Sequence, residues 1–382
     1  MWQLQGFDCE EFISRYWQKR PYVLRNAFVE FESPVSPEEL AGLACEEDVH
    51  CRLVIEKDGA TPWQLRYGPF EDRDFLDLPE THYSLLVSEC EKWLPELASL
   101  LDQFRFIPDW RIDDLMLSYA PRDGSVGPHV DEYDVFLLQA MGSRRWQYCE
   151  SKIENPELIP NLDLAILRDF IPDQEIVLHP GDLLYLPPGF AHHGVALERC
   201  MTYSIGFRAP DAVATLESFA LEIERIGSNV PRYRDDALEL ERHHAEITDV
   251  EIARFRALAI DLLEQSQELW QDAVGKMLSD SPLGQQGDSE QPVFVSDLQA
   301  RGWIRHPETR LFYHRSAQGI RVYYNGRMHE LPQRPDVLEH LQQLCDQREW
   351  PGPLINACIA IEPLEKLLVE LATNGAILPL DE

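Results

Sequence analysis

Short apolar runs with period-two alternation fill the middle of the first half of the chain, and apolar residues spaced by three and four replace them after Pro210. Alternate residues of a strand share a face, whereas positions i, i+3 and i+4 share a face of a helix, so the change of period marks a change of architecture. Residues 106 to 208 break into brief strand-like segments divided by Pro, Gly and Asp turns, the pattern of a jelly-roll barrel, the double-stranded β-helix. Before it, residues 1 to 105 mix helix and strand signals and are expected to flank and cover the barrel. Within them Ser36-Pro37-Glu38-Glu39 predicts a helix start, with a hydroxyl N-cap, proline at the first position and acids in the first turn. Beyond Pro210, Ile252, Phe255, Leu258, Ala259, Leu262 and Leu263 follow helical spacing, which predicts a helical block. A polar linker spans Ser281 to Pro292. Strands over Leu311–His314, Ile320–Tyr324 and Met328–Leu331 follow, the last two joined by Asn325-Gly326, a type I′ hairpin signal. Helices near 335 to 346 and 363 to 374 complete a winged-helix-like module. The class predicted is therefore α+β in three units: a catalytic-size barrel over 1–210, a helical unit over 211–285 and a winged-helix-like unit over 290–382.

The candidate chemistry lies in the barrel. On an extended strand His129 and Asp131 reach the same side while Val130 packs behind them. A second segment turns at Pro180-Gly181-Asp182, runs as an apolar strand, turns again at Pro187-Pro188-Gly189 and delivers His192. Two imidazoles and one carboxylate hold three neighbouring positions of an octahedron and leave three open, which suits an Fe(II) that also takes a bidentate cosubstrate and dioxygen. A structural zinc would close four. His193 competes with His192, since neighbours on a strand face opposite ways and only one can point inward; His192 is favoured. A dicarboxylate cosubstrate needs a cation, and Arg144, in Gly142-Ser143-Arg144-Arg145-Trp146, offers the planar fork that grips a carboxylate. Arg145 reads as a surface charge. Ser118 and Thr202 either complete the carboxylate pocket or face solvent as ordinary strand residues.

These residues resemble the JmjC-type, cupin-fold 2-oxoglutarate oxygenases, and within them the bacterial ribosomal oxygenases that hydroxylate an arginine of the sixteenth large-subunit ribosomal protein. The resemblance runs through Phe12–Arg25, Gly68-Pro69-Phe70, Ile107–Met116, Val126–Phe136 and Tyr203–Pro210. It implies that His129, Asp131 and His192 bind iron, that Arg144 binds the distal carboxylate of 2-oxoglutarate, and that Asp114, Met116, Tyr133 and Ser204 form an arginine-accepting pocket. It also implies a helical dimerisation segment and hydroxylation at the β-carbon, with O2 consumed. Asp114, Met116 and Ser118 alternate along one strand face, and an inward carboxylate pairs a guanidinium.

Composition narrows the partners. The 382 residues carry a formal charge of −33, a field that repels nucleic acid and attracts basic proteins. Residues 301 to 334 reverse the sign locally, with seven arginines against two glutamates, and read either as a contact with ribosomal RNA or, the favoured alternative, as a solvated hairpin. No run of 18 apolar residues occurs, the start has no positive leader, and the eight cysteines include no Cys-X-X-Cys pair, which together predict a cytoplasmic protein with reduced thiols, no membrane contact and no zinc ribbon. Two other readings compete with this one. One is a demethylase or histidine hydroxylase, disfavoured by the acid at Asp114, since methylated ammonium groups usually enter aromatic cages. The other is a DNA-binding winged-helix regulator with a ligand-sensing barrel, disfavoured by the net charge. A homodimer through residues 211 to 280 is expected.

Overall fold

In the computed structural model the chain is described over residues 2–56, 63–227, 230–236, 243–282 and 293–380. It divides into two compact units, Met1–Ala209 and Pro210–Glu382.

The strands of the first unit are β1 (Tyr22–Leu24), β2 (Cys51–Glu56), β3 (Trp63–Tyr67), β4 (Tyr83–Val87), β5 (Ile112–Ala120), β6 (Asp134–Met141), β7 (Arg144–Tyr148), β8 (Gln174–Leu178), β9 (Leu183–Leu186), β10 (His192–Ala196) and β11 (Cys200–Phe207). They form a major sheet in the order β1-β9-β6-β11-β5-β4-β2-β3 and a minor sheet in the order β10-β7-β8. Alternation decides which side each residue serves. Val135 and Leu137 of β6 meet Trp146, Leu178, Leu184 and Leu186 between the two sheets. Their neighbours Phe136 and Leu138 point the other way, into a larger core with Phe12, Phe104, Tyr185 and Phe207. Both faces of β6 are thus covered, which is why it reads as one apolar run.

Residues 1 to 105 do more than cover the barrel: they supply β1 at one edge of the major sheet and β2, β3 and β4 at the other. The sequence hid this because the pairing partners lie far along the chain. The helix start at Ser36 forms as expected, with Ser36 Oγ accepting from the Glu39 N–H at 3.2 Å and Glu39 accepting in return from the Ser36 N–H at 2.8 Å.

The second unit contains helices Ala212–Ile226, Asp249–Gln265 and Gln267–Ser279, then β12 (Trp303–Arg305), β13 (Leu311–Arg315), β14 (Ile320–Tyr324), β15 (Arg327–Leu331), β16 (Glu349–Trp350) and β17 (Ile377–Pro379) with helices Pro335–Asp346, Gly352–Ile359 and Glu362–Thr373. Asn325 and Gly326 both take positive φ, 47° and 72°, as a type I′ turn requires. The predicted linker lies almost wholly outside the described residues.

The arginine-rich hairpin is solvated only in part: Arg315 is exposed, Arg321 is not. Arg321 is buried at 8% exposure, donating to the Glu268 carbonyl at 3.1 Å and to Asp272 Oδ1 at 3.2 Å. It ties β14 to the helix Gln267–Ser279, which comes so close that a Cβ on Gly275 would lie 2.4 Å from the Tyr323 ring. By contrast, the helix Asp249–Gln265 buries none of its side chains. No described helix is long and apolar enough to cross a membrane.

Candidate active site

A cavity of about 600 Å³ is lined by residues of both sheets, among them all of the site residues picked from the sequence. Its geometry follows from three local arrangements.

The first gathers the histidines and the aspartate. Contrary to expectation, His129 and Asp131 do not lie on a regular strand but in the loop that joins β5 to β6. Their placement comes from backbone pairing with a distant segment: His129 and His192 exchange N–H···O bonds of 3.0 Å, and the Gly189 N–H donates to the Asp131 carbonyl at 2.8 Å. Val130 packs behind, against Cys149, Leu167 and Ala191. The side chains converge, with His192 Nε2 3.5 Å from Asp131 Oδ2 and His129 Nε2 3.7 Å from Asp131 Oδ1. Ligand atoms of the three all lie within 4.8 Å of one another. Each imidazole has its Nδ1 3.0 Å from a carbonyl, that of Gly127 for His129 and that of Phe190 for His192. A carbonyl only accepts, so Nδ1 carries the proton and Nε2 turns its lone pair to the cluster. Burial, reinforced by the neighbouring His129, pushes His192 down to about 4, which keeps it neutral and ready to ligate near neutral pH. His193 faces away, its Nε2 2.9 Å from Ser125 Oγ.

The second arrangement surrounds Arg144 at the start of β7. The side chain is 3% exposed. It donates weakly, from Nη1 to Thr202 Oγ1 at 3.4 Å and from Nη2 to the Gly194 carbonyl at 3.3 Å, and its Nε has no partner. Among the described residues no carboxylate forms an ion pair with it, and burial lowers its pKa. Ser118 and Thr202 face each other across β5 and β11, both buried, so the solvent-facing alternative falls. Ser118 Oγ donates to the Thr202 carbonyl at 3.2 Å. Thr202 Oγ1 donates to Gln139 Oε1, also at 3.2 Å. Gly194 keeps room for the guanidinium, since a Cβ there would lie 2.7 Å from Arg144 Nε and 2.7 Å from Trp146. Arg145, read as a surface charge, is half-buried with an unpartnered Nε of its own.

The third arrangement forms one end of the cavity. Asp114, Met116 and Ser118 alternate along β5, with Ser204 of β11 opposite Met116. Asp114 Oδ2 accepts from the Glu89 N–H at 3.4 Å. Tyr133 stands at the rim, partly exposed; burial of its hydroxyl, with Asp131 and Asp114 close by, pushes the phenol up. Glu89 and Asp113 line the same cavity but are paired, with Lys92 and Arg208 respectively, and Arg52 is also in the lining, so Asp114 is the carboxylate this end offers to a cation.

The sequence reading missed Gln139, Trp146 and Gly194. Gln139 alone left a trace, as the single amide in the apolar run of β6.

Two neutral imidazoles with one carboxylate form a donor set for Fe(II), and a buried guanidinium with an unsatisfied Nε fits a dicarboxylate such as 2-oxoglutarate. Comparison with known proteins agrees. Residues 99–215 match the JmjC domain family. The chain is 40% identical over 334 residues to the ribosomal protein uL16 3-hydroxylase of Escherichia coli K12, covering 85% of this chain and 86% of that protein. It is 44% identical over 205 residues to a probable ribosomal oxygenase of Haemophilus influenzae, covering 53% and 50% of the two chains. It superposes on the E. coli ribosomal oxygenase YcfD in complex with cobalt and 2-oxoglutarate with a TM-score of 0.83 and 34% identity, over 99% of each chain. With that likeness running the length of the molecule and the donor set in place, this chain belongs to the JmjC-domain ribosomal oxygenases.

Proposed function

We propose that this enzyme hydroxylates the β-carbon of an arginine side chain in a large-subunit ribosomal protein, with iron held by His129, Asp131 and His192 and 2-oxoglutarate held by Arg144, Ser118 and Thr202. The observation that carries the arginine reading is the acidic end of the cavity at Asp114, on the same β5 face as the Ser118 hydroxyl. The metal and cosubstrate supply the oxidising chemistry, in which one atom of O2 enters the substrate C–H bond and the other enters succinate as CO2 leaves.

The chain's own residues bind and aim. Asp114 takes the guanidinium, a charge-assisted pairing that orients the arginine stem toward the metal ligands. Met116 and Ser204 flank that stem, and Tyr133 closes over it. Arg144 fixes the far carboxylate of the cosubstrate, leaving its keto acid end free to reach the metal. The cavity walls exclude water from the reacting carbon.

Incubation of the Fe(II)-loaded enzyme with an arginine-bearing ribosomal peptide is expected to add one oxygen atom by mass, with succinate formed in equal amount. A product that has lost a methyl group, or an oxidised histidine, sinks the arginine reading. Asp114→Asn is expected to raise the peptide KM by ~10- to 100-fold, the loss of one charge-assisted hydrogen bond of about 1.5–3 kcal/mol. An unchanged KM removes Asp114 from the pocket.

The helical segment is proposed to serve a homodimer. Ile252 and Val250 of the helix Asp249–Gln265 are 56% and 59% exposed, apolar surface that a second copy would cover. Ile252→Asp is expected to convert the dimer to monomer in sedimentation without lowering the melting temperature of the monomer. The C-terminal module is proposed to be winged-helix-like without binding DNA, and the site of action cytoplasmic with no membrane contact.

A further inference from the structure

We propose that Glu91, which does not line the cavity, is a positioning residue for the substrate cation: it anchors the Asp114 segment of β5 and adds a second negative charge behind it. The inference deepens the arginine reading and rests on it.

β4 ends at Val87, opposite Leu117 of β5, so further back along β5 the edge of the sheet has no strand partner on that side. The chain instead turns, with Glu89 in the left-handed conformation at φ 56°, into the short helix Cys90–Trp93. That turn grips β5 twice. The Glu89 N–H reaches Asp114 Oδ2 at 3.4 Å, and Glu91 Oε2 accepts from the Leu115 N–H at 2.9 Å. Asp114 is thus held through its own carboxylate and through the backbone of the next residue.

Any oxygen acceptor would satisfy the Leu115 N–H. A carboxylate is a costly choice there, because like charges a few ångströms apart resist ionisation together. Around Glu91 stand Asp114 from β5, Glu89 and Lys92 of its own turn and the Cys90 thiol, and His50 lies next to Glu89, its Nδ1 3.8 Å from Glu89 Oε2. Lys92 is ion-paired with Glu89. Burial, with Asp114 and Glu89 adding to it, pushes Glu91 up to about 7. The group therefore gains its charge across the physiological range, and an arriving guanidinium at Asp114 favours the ionised form. Substrate should bind more tightly as pH rises through neutrality.

The test measures the peptide KM from pH 6 to 8.5, using an N-acetylated arginine peptide without histidine, for wild type and Glu91→Gln. Glutamine keeps an oxygen for the Leu115 N–H and never ionises. Wild-type KM is expected to fall by about fivefold across the range, since one pKa unit of coupling is worth about tenfold in the limit and the complex is already half ionised at pH 6. Glu91→Gln is expected to stay flat near the wild-type value at pH 6, an agreement that a misfolded variant would not give. The same fall in both proteins, or none in wild type, overturns the inference while leaving the arginine reading intact. A wild type that oxidises no arginine peptide at any pH overturns both.

Discussion

Asp131→Ala is expected to lose its iron and to lower succinate formation by more than ~100-fold. Asp131 is the only anion in the donor set and reaches toward both histidines, at 3.5 and 3.7 Å. Without it two neutral imidazoles face a divalent cation with no charge to match it. Loss of residues that merely orient a ligand commonly costs ~10- to 100-fold in affinity or activity, so loss of a ligand should exceed that range. His193→Ala is the control, because its ring is turned to Ser125. Elemental analysis of the two purified variants decides the matter: iron kept in Asp131→Ala and lost in His193→Ala would place the centre elsewhere.

The second large effect is expected at Arg144, where activity and stability should part company. Arg144→Met should raise the KM for 2-oxoglutarate by roughly 30-fold to several-thousand-fold, the ~2–5 kcal/mol that follows when one partner of a buried charge pair is truncated. Metal-free, ligand-free protein should melt no lower than wild type. In that state the guanidinium is buried without a carboxylate and with Nε unsatisfied, an arrangement that costs the fold energy. What it gains is its stack over Trp146, 5.2 Å from the ring, where a thioether also packs well. Calorimetry beside a succinate assay reads both quantities. A variant whose melting temperature collapses would mark Arg144 as a structural residue.

How much of this was legible depends on whether the cause was local. The Asn325-Gly326 turn and the Ser36–Glu39 cap could be read because each is settled within four residues, by positive φ in one and by reciprocal hydrogen bonds in the other. His129 and Asp131 were picked for a strand geometry they do not have. They converge with His192 because a bridge to a distant segment bends their loop, and no local pattern encodes that. Arg321 was misread for the same reason: its partners Glu268 and Asp272 sit on a helix about 50 residues earlier. Arg144 was picked over Arg145 without the two features that separate them in the fold, the burial of the Arg144 side chain and the room that the bare Gly194 leaves for its guanidinium. Neither the amide of Gln139 nor the carboxyl of Glu91 could be assigned a task from spacing, since each acts on a strand that is its neighbour only in the folded sheet.

The paired backbone bonds between His129 and His192, together with the carbonyls that hold both rings by Nδ1, orient the ligand side chains through contacts that need no ion. In small metal-dependent domains the ion is a folding partner, and a chelator unravels the chain. Here two of the ligands sit on a loop that backbone bonds tie to β10 and to Gly189, so a chelator should strip the ion and leave an intact empty shell. The polypeptide could then be emptied and refilled many times, with its occupancy following whichever divalent ion the surroundings offer.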